Sequence, residues 1–237
     1  MTSSPPSTSA DPRYYGRRKG KRLKAGRQAL VDTLLPRLSL VLPAGEGVVD
    51  PWTLFPDMPS RPAAIWLEVG FGGGEHLVHQ AATHPEIGFI GAEPFLNGTA
   101  KLLAAIHDQG LTNIRILGDD VRPLLDRLPD GCLSRAFLLH PDPWPKTRHA
   151  GRRFVNTDNL DRLARLLQPG SEFRVASDDP VYQRWTLMVA PAHAAFHWRV
   201  SGPDDWRTRW ADACPTRYGE KAIREGRTPL YFTFVRR

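Results

Sequence analysis

Cysteine is scarce in this chain. Cys132 and Cys214 are the only two in 237 residues, too few and too isolated for a disulfide framework or a zinc cluster, so a reducing, cytoplasmic setting is expected. Long apolar runs are missing as well. A stretch such as 136–139 falls far short of the roughly 18 residues that a membrane span requires, and no apolar core follows the start as a secretion signal would. Neither a metal nor a membrane is therefore expected as a partner. Most of the chain also lacks net charge. Of 32 Lys and Arg, eight lie in the first 27 residues, where Asp11 is the only acid, and 24 basic residues then face 24 acidic ones beyond. The whole charge of +7 resides in residues 1–27, a Ser/Pro/Gly-rich segment that cannot build a core and is expected to be a disordered basic tail when free. A cationic arm on a neutral body points to a polyanion, most simply nucleic acid, with Tyr14 and Tyr15 available to stack on bases.

What is present is ordinary globular material, 41% hydrophobic and 24% charged, enough for one substantial core. Residues 28–62 carry a short apolar piece (Leu30, Val31, Leu34, Leu35) and then six prolines between Pro36 and Pro62, which reads as a connector packed on a domain spanning 63–237. From residue 63 short apolar runs at 64–69, 89–92, 114–117, 136–139 and 173–176 alternate with helical spacing. Leu102, Leu103 and Ile106 lie on one helical segment closed by Gly110. Val121, Leu124, Leu125 and Leu128 predict a helix over 121–128, and Leu160, Leu163, Leu166 and Leu167 another. Strand and helix repeated in this way predict an α/β fold, a doubly wound and mostly parallel sheet. Runs at 196–200 and 230–235 lack an intervening helix of similar length, so an antiparallel hairpin is expected at the C-terminal end.

The first strand runs into Glu68-Val69-Gly70-Phe71-Gly72-Gly73-Gly74, a turn that admits a ligand close to the backbone. Glu75 stands where a dinucleotide site expects a third glycine, so pyrophosphate is disfavoured. Glu93 follows Gly74 by 19 positions at the end of the next strand, suited to ribose hydroxyls. Acids at 68 and 93 beside these glycines fit a ligand with a ribose, a positive charge and no phosphate, the character of S-adenosylmethionine. After the third strand, Asp119 is expected to cap a helix and Asp120 to accept the adenine amino group. The most informative stretch is His140-Pro141-Asp142-Pro143-Trp144-Pro145-Lys146-Thr147-Arg148-His149-Ala150-Gly151-Arg152-Arg153. Its prolines fix a loop at the carboxyl end of a strand and hold Asp142, read here as a buried carboxylate, while Lys146, Arg148, Arg152 and Arg153 place cations at the crevice rim. His76, His79, His84 and His107 lack metal-ligand spacing. Trp198, Trp206 and Trp210 read as packing residues. Arg207, Arg209, Arg217, Lys221, Arg224 and Arg227 form a second basic cluster.

These residues resemble the bacterial tRNA (guanine-N7)-methyltransferases. The likeness covers roughly 63–237 and rests on Leu67-Glu68-Val69-Gly70-Phe71-Gly72, Pro141-Asp142-Pro143-Trp144-Pro145-Lys146, Ser177-Asp178 and Thr216-Arg217-Tyr218 in order and spacing. It implies a class I, Rossmann-like methyltransferase fold acting with S-adenosylmethionine on the variable-loop guanine of tRNA. It further implies that Glu68, Gly70, Gly72, Glu93, Asp120 and Asp142 hold the cofactor and that Asp142 is catalytic. Lys146, Asp178, Thr216, Arg217, Tyr218 and Glu220 would contact substrate, and Arg148, His149, Arg152 and Arg153 the RNA. A monomer or weak homodimer is the expected state. In one departure, the family usually places a glutamate directly after the aromatic residue, where this chain has Gly219 followed by Glu220. Either Glu220 supplies that carboxylate from the next position or the contact is absent.

The reaction suits these residue types. Guanine N7 has a lone pair and no proton, so the site needs fixed carboxylates and excluded water rather than a general base. Asp142 and Asp178 are expected to accept from the N1 and N2 donors of guanine. Two rivals use the same residues differently. A small-molecule methyltransferase or aminopropyltransferase could share the fold, without needing the basic arm and rim, and an RNA-binding module would bind no cofactor.

Overall fold

The computed structural model describes residues 16–43, 45 and 47–237; Tyr14 and Tyr15, named above as stacking candidates, lie outside this range. The chain opens with α1 (Ala25–Thr33) and α2 (Leu35–Leu38). Then β1 (Ala64–Val69), α3 (Glu75–Thr83), β2 (Ile87–Ala92), α4 (Leu96–Gln109), β3 (Ile114–Leu117) and α5 (Arg122–Leu125) follow. The second half contains β4 (Leu133–Leu139), α6 (Thr157–Leu166), β5 (Leu167–Ser177), α7 (Pro180–Val189), β6 (Phe196–Trp198), α8 (Asp204–Arg207), α9 (Arg217–Arg224) and β7 (Leu230–Arg236). All seven strands join one sheet in the order β3-β2-β1-β4-β5-β7-β6. The first five are parallel, while β7 runs antiparallel to β5 and β6 antiparallel to β7. The expected parallel sheet with an antiparallel end is what forms, with β7 inserted between β5 and β6.

Alternation within the strands builds a core on each face. Ile65, Leu67 and Val69 of β1 join Ile90, Phe173, Phe232 and the leucines of α6 on one side. Trp66, Phe89, Ile114 and Phe137 join Leu77, Leu102 and Ile106 on the other. The α6 stripe forms at Leu160, Leu163 and Leu166 but stops short of Leu167, which is extended and begins β5; the helix is capped by Asn156, whose side chain accepts from the amide of Asn159 at 2.9 Å. The helix expected over 121–128 does not. Only one turn is helical, and Leu124, Leu125 and Leu128 are buried through that turn and the tighter ones after it.

The segment before β1 lies on the domain. Leu30, Val31, Leu34 and Leu35 pack on one core, Leu40, Val49, Phe55 and Met58 belong to the other, and Ser39 bridges in parallel to Ile116 at the β3 edge. The described part of the cationic arm is held as well. Arg18 offers its carbonyl to the amide of Leu96 and its guanidinium to Asp119 at 2.8 Å, and Gly20 donates to Asn97 Oδ1 at 2.7 Å. Among the described residues no helix is long and apolar enough to cross a membrane.

Candidate active site

The carboxyl ends of the four strands β1 to β4 face a cavity of about 470 Å3, the size of a small-molecule site at the usual place in such a sheet. Its floor is the glycine turn after β1. Gly72 has φ of +57°, and its amide donates to Glu93 Oε2 at 2.9 Å, while Phe95 donates its amide to Glu93 Oε1 at 2.9 Å. Gly98 supports the turn from α4: a Cβ there would come within 2.1 Å of the Gly72 carbonyl oxygen. Glu93 thus ties two loops together, yet each of its oxygens keeps acceptor capacity for a ligand. Burial, reinforced by Asp142 and Glu68, raises its carboxyl above the ordinary value despite the two amides.

The other expected cofactor residues divide. Gly70, Gly72, Asp120 and Asp142 line the cavity with Glu93. Glu68 does not; it is 3% exposed beneath the turn and bonded to His76 Nδ1 at 2.7 Å. The carboxylate of Asp120 accepts from the Arg122 amide at 2.9 Å and from its guanidinium. The cap expected of Asp119 does not form: α5 has Val121 at its N-cap with no side-chain cap, and Asp119 is turned to Arg18 and to the Asp120 amide. Burial opposes ionisation of Asp119, but these two partners outweigh it and lower its pKa.

His140 and Trp144, at φ of +49° and +43°, are the only described non-glycine residues in the left-handed region, and they bracket Asp142. Such backbone strain persists where the surroundings enforce it. Arg153 does the enforcing, donating Nε to the Pro143 carbonyl at 3.1 Å and Nη2 to the Trp144 carbonyl at 2.9 Å, with its guanidinium 4.6 Å from the Trp185 ring centre. At 5% exposure Arg153 is not on the rim where the charge pattern put it. Lys146 and Arg148 are exposed, and Arg152 lies 4.9 Å over the Trp144 ring at the cavity edge. His149 is pulled below its ordinary pKa by desolvation and by Arg152, Arg148 and Lys146. Asp142, read from sequence as buried, is exposed, and among the described residues its carboxylate takes no hydrogen bond.

On the far side α9 closes the site. Thr216 caps it by accepting the Gly219 amide at 3.1 Å. Tyr218 is 50% exposed on the cavity wall, and a Cβ on Gly72 would stand 3.0 Å from its ring. Arg217 and Glu220 are exposed, whereas Gly219 is buried against His140. Asp178 does not line the cavity. Its Oδ1 is bonded to His140 Nδ1 at 2.8 Å and its Oδ2 accepts from Arg227 Nε at 2.7 Å. Burial would raise the Asp178 carboxyl, but those two partners hold it below the ordinary range.

His140 and Gly98 are the site residues that sequence reasoning missed. A glycine early in a helical pattern was a signal for the second; nothing local marked the first. Among the described residues no three His, Cys, Asp or Glu side chains stand close enough to hold a metal. A turn with glycine at 70, 72, 73 and 74, its one side chain Phe71 buried, beside the carboxylates Glu93 and Asp142 fits a cationic ligand with hydroxyls.

A family model described as "Putative methyltransferase" matches residues 62–231. A tRNA (guanine-N(7)-)-methyltransferase of Rhodospirillum rubrum is 56% identical over 236 residues, covering 98% of this chain and 91% of that protein. One of Agrobacterium fabrum is 48% identical, covering 94% and 95%. Among solved structures, the 16S rRNA methyltransferase KamB is similar in fold, with a TM-score of 0.53 at 19% identity, covering 78% of this chain and 94% of that one. The architecture is that of the class I methyltransferases.

Proposed function

The chain belongs to the tRNA (guanine-N(7)-)-methyltransferase family, and on that premise we propose that it transfers a methyl group from S-adenosylmethionine to N7 of the variable-loop guanine in tRNA. The observation that carries the reading is Asp142, an exposed carboxylate without a hydrogen bond of its own among the described residues, held at the cavity wall by a strained and anchored loop. When bound, the cofactor supplies a methyl on a positively charged sulfur. The residues of the chain do the rest by position and charge.

Gly70 and Gly72 let the ligand approach the backbone, Glu93 accepts the ribose hydroxyls and Asp120 the adenine amino group. Glu68 adds negative charge from beneath without touching the ligand. The attacking nitrogen carries no proton, so no side chain is needed as a base. Asp142 faces the purine as positive charge passes to its ring, and a fixed carboxylate stabilises that change most where water is excluded. Lys146, Arg148, His149 and Arg152, with Thr216, Arg217, Tyr218 and Glu220 across the opening, contact the RNA. Arg153 serves by holding the loop and Asp178 by holding His140. A cytoplasmic setting, where tRNA is found, follows from the same reading. The test is to incubate the protein with labelled S-adenosylmethionine and total tRNA, digest the RNA and identify the labelled nucleoside. 7-Methylguanosine is expected; label on any other base would defeat the reading.

A further inference from the structure

Resting on that reading, we propose that His140 is a specificity residue: its Nε2 accepts a hydrogen bond from the Watson–Crick edge of the target guanine, and Asp178 is the positioning residue that makes it an acceptor. His140 directly follows β4, and its left-handed backbone turns the ring to the junction of the main cavity and a smaller neighbouring one of about 40 Å3. The side chain is only 6% exposed. One ring nitrogen is committed, since Nδ1 lies 2.8 Å from Asp178 Oδ1.

The second oxygen of Asp178 is taken by Arg227, and an ionised carboxylate only accepts. The proton between the two groups therefore sits on Nδ1, and the neutral tautomer that carries it there has a lone pair and no hydrogen on Nε2. Among the described residues Nε2 has no hydrogen-bond partner. The chain also leaves room beside it: Gly219 is buried there, and a Cβ on that residue would lie 3.4 Å from Nε2. An acceptor on a side chain only 6% exposed, at the wall shared by the cofactor cavity and the smaller one beside α9, suits a donor from the substrate. Guanine presents N1–H and N2–H2 on that edge, whereas adenine presents a bare N1 and a donor only at N6, so an acceptor placed against N1 favours guanine. Asp178 lies behind the ring and reaches the substrate only through it, unlike the direct contact that its place in the sequence implied.

The experiment measures methyl transfer from labelled S-adenosylmethionine to a tRNA transcript, with cofactor affinity by calorimetry on the same preparations. His140→Phe keeps a flat ring and removes both nitrogens. Its KM for tRNA is expected to rise about tenfold or more, the effect of one lost hydrogen bond that also strands a buried donor, with kcat and cofactor affinity within about twofold. His140→Gln, which can place an amide oxygen near the Nε2 position, is expected to recover most of the loss. Asp178→Asn lets the ring carry its proton on Nε2 and should raise KM as well, and the double variant Asp178→Asn/His140→Phe should be no worse than His140→Phe alone. An unchanged KM in His140→Phe, additive losses in the double variant, or a parallel loss of cofactor affinity would each overturn the proposal. Absence of 7-methylguanosine with the unaltered protein would instead sink the reading on which it rests.

Discussion

Gly72 gives its amide hydrogen to Glu93 across 2.9 Å, joining the turn after β1 to the end of β2. A carboxylate that would otherwise only bind ligand therefore also sets the shape of the floor beneath it. The two functions cannot be altered separately at Glu93, but they can be probed from α4.

Gly98→Ala puts a methyl where the Gly72 carbonyl oxygen stands 2.1 Å away, so the turn must shift. Overpacking of this kind costs about 1–3 kcal/mol. Calorimetry is expected to show cofactor affinity lowered by about tenfold or more, with a melting temperature several degrees lower. Affinity equal to that of the unaltered protein would mean the turn does not need its present position.

Asp142→Asn keeps the shape of the loop residue and removes its charge. Single-turnover transfer is expected to slow by roughly a hundredfold, the scale for losing one fixed electrostatic partner of the developing charge, while tRNA affinity by filter binding falls only slightly. Equal losses in both quantities would assign Asp142 to binding alone.

The rim and the anchor separate cleanly. Charge reversal of Arg148 and Arg152 is expected to weaken tRNA binding and to reduce its salt dependence by roughly one unit per lost phosphate contact, with an unchanged melting temperature. Arg153→Ala does the reverse, costing about 2 kcal/mol or more of stability as two hydrogen bonds to backbone carbonyls and the packing on Trp185 are lost. A binding curve for Arg153→Ala as salt-insensitive as that of the double reversal would return this residue to the rim.

Glu172 and Asp212 share Arg174 and Arg135 at the edge of β5. Burial would raise both carboxyls, but the arginines more than offset it and both are held below their ordinary values. For acids lowered in this way, stability is full above the unfolded-state pKa values near 4 and is lost as pH falls through the lower folded ones. Asp212→Asn is therefore expected to lower the melting temperature at pH 7, with the deficit shrinking as the pH approaches about 3. A deficit independent of pH would show that the pair acts by packing and not by charge.

Much of this was legible in the sequence. The strands announced themselves because buried parallel strands are short apolar runs, and Asp142 stood out because its prolines isolate it. The 121–128 stripe misled because spacing reports which residues are buried, not how, and turns bury Leu128 as well as a helix does. Arg152 and Arg153 are adjacent and identical in sequence terms; only the carbonyls of Pro143 and Trp144 send one inward. His140 opens the proline-rich stretch, but nothing in that stretch marks it as a contact. Its meaning depends on Asp178, 38 residues later, and on the missing side chain of Gly219.

The parallel bridge from Ser39 to Ile116, with Leu40 donating to the Ile116 carbonyl at 2.8 Å, takes up backbone groups that an open sheet margin would offer to a neighbouring molecule. The opposite margin, β6, is three residues long. A chain begun after residue 42 would bare the first margin along with the apolar surface that Leu38 and Leu40 cover, and clumping between copies is what such a seam invites.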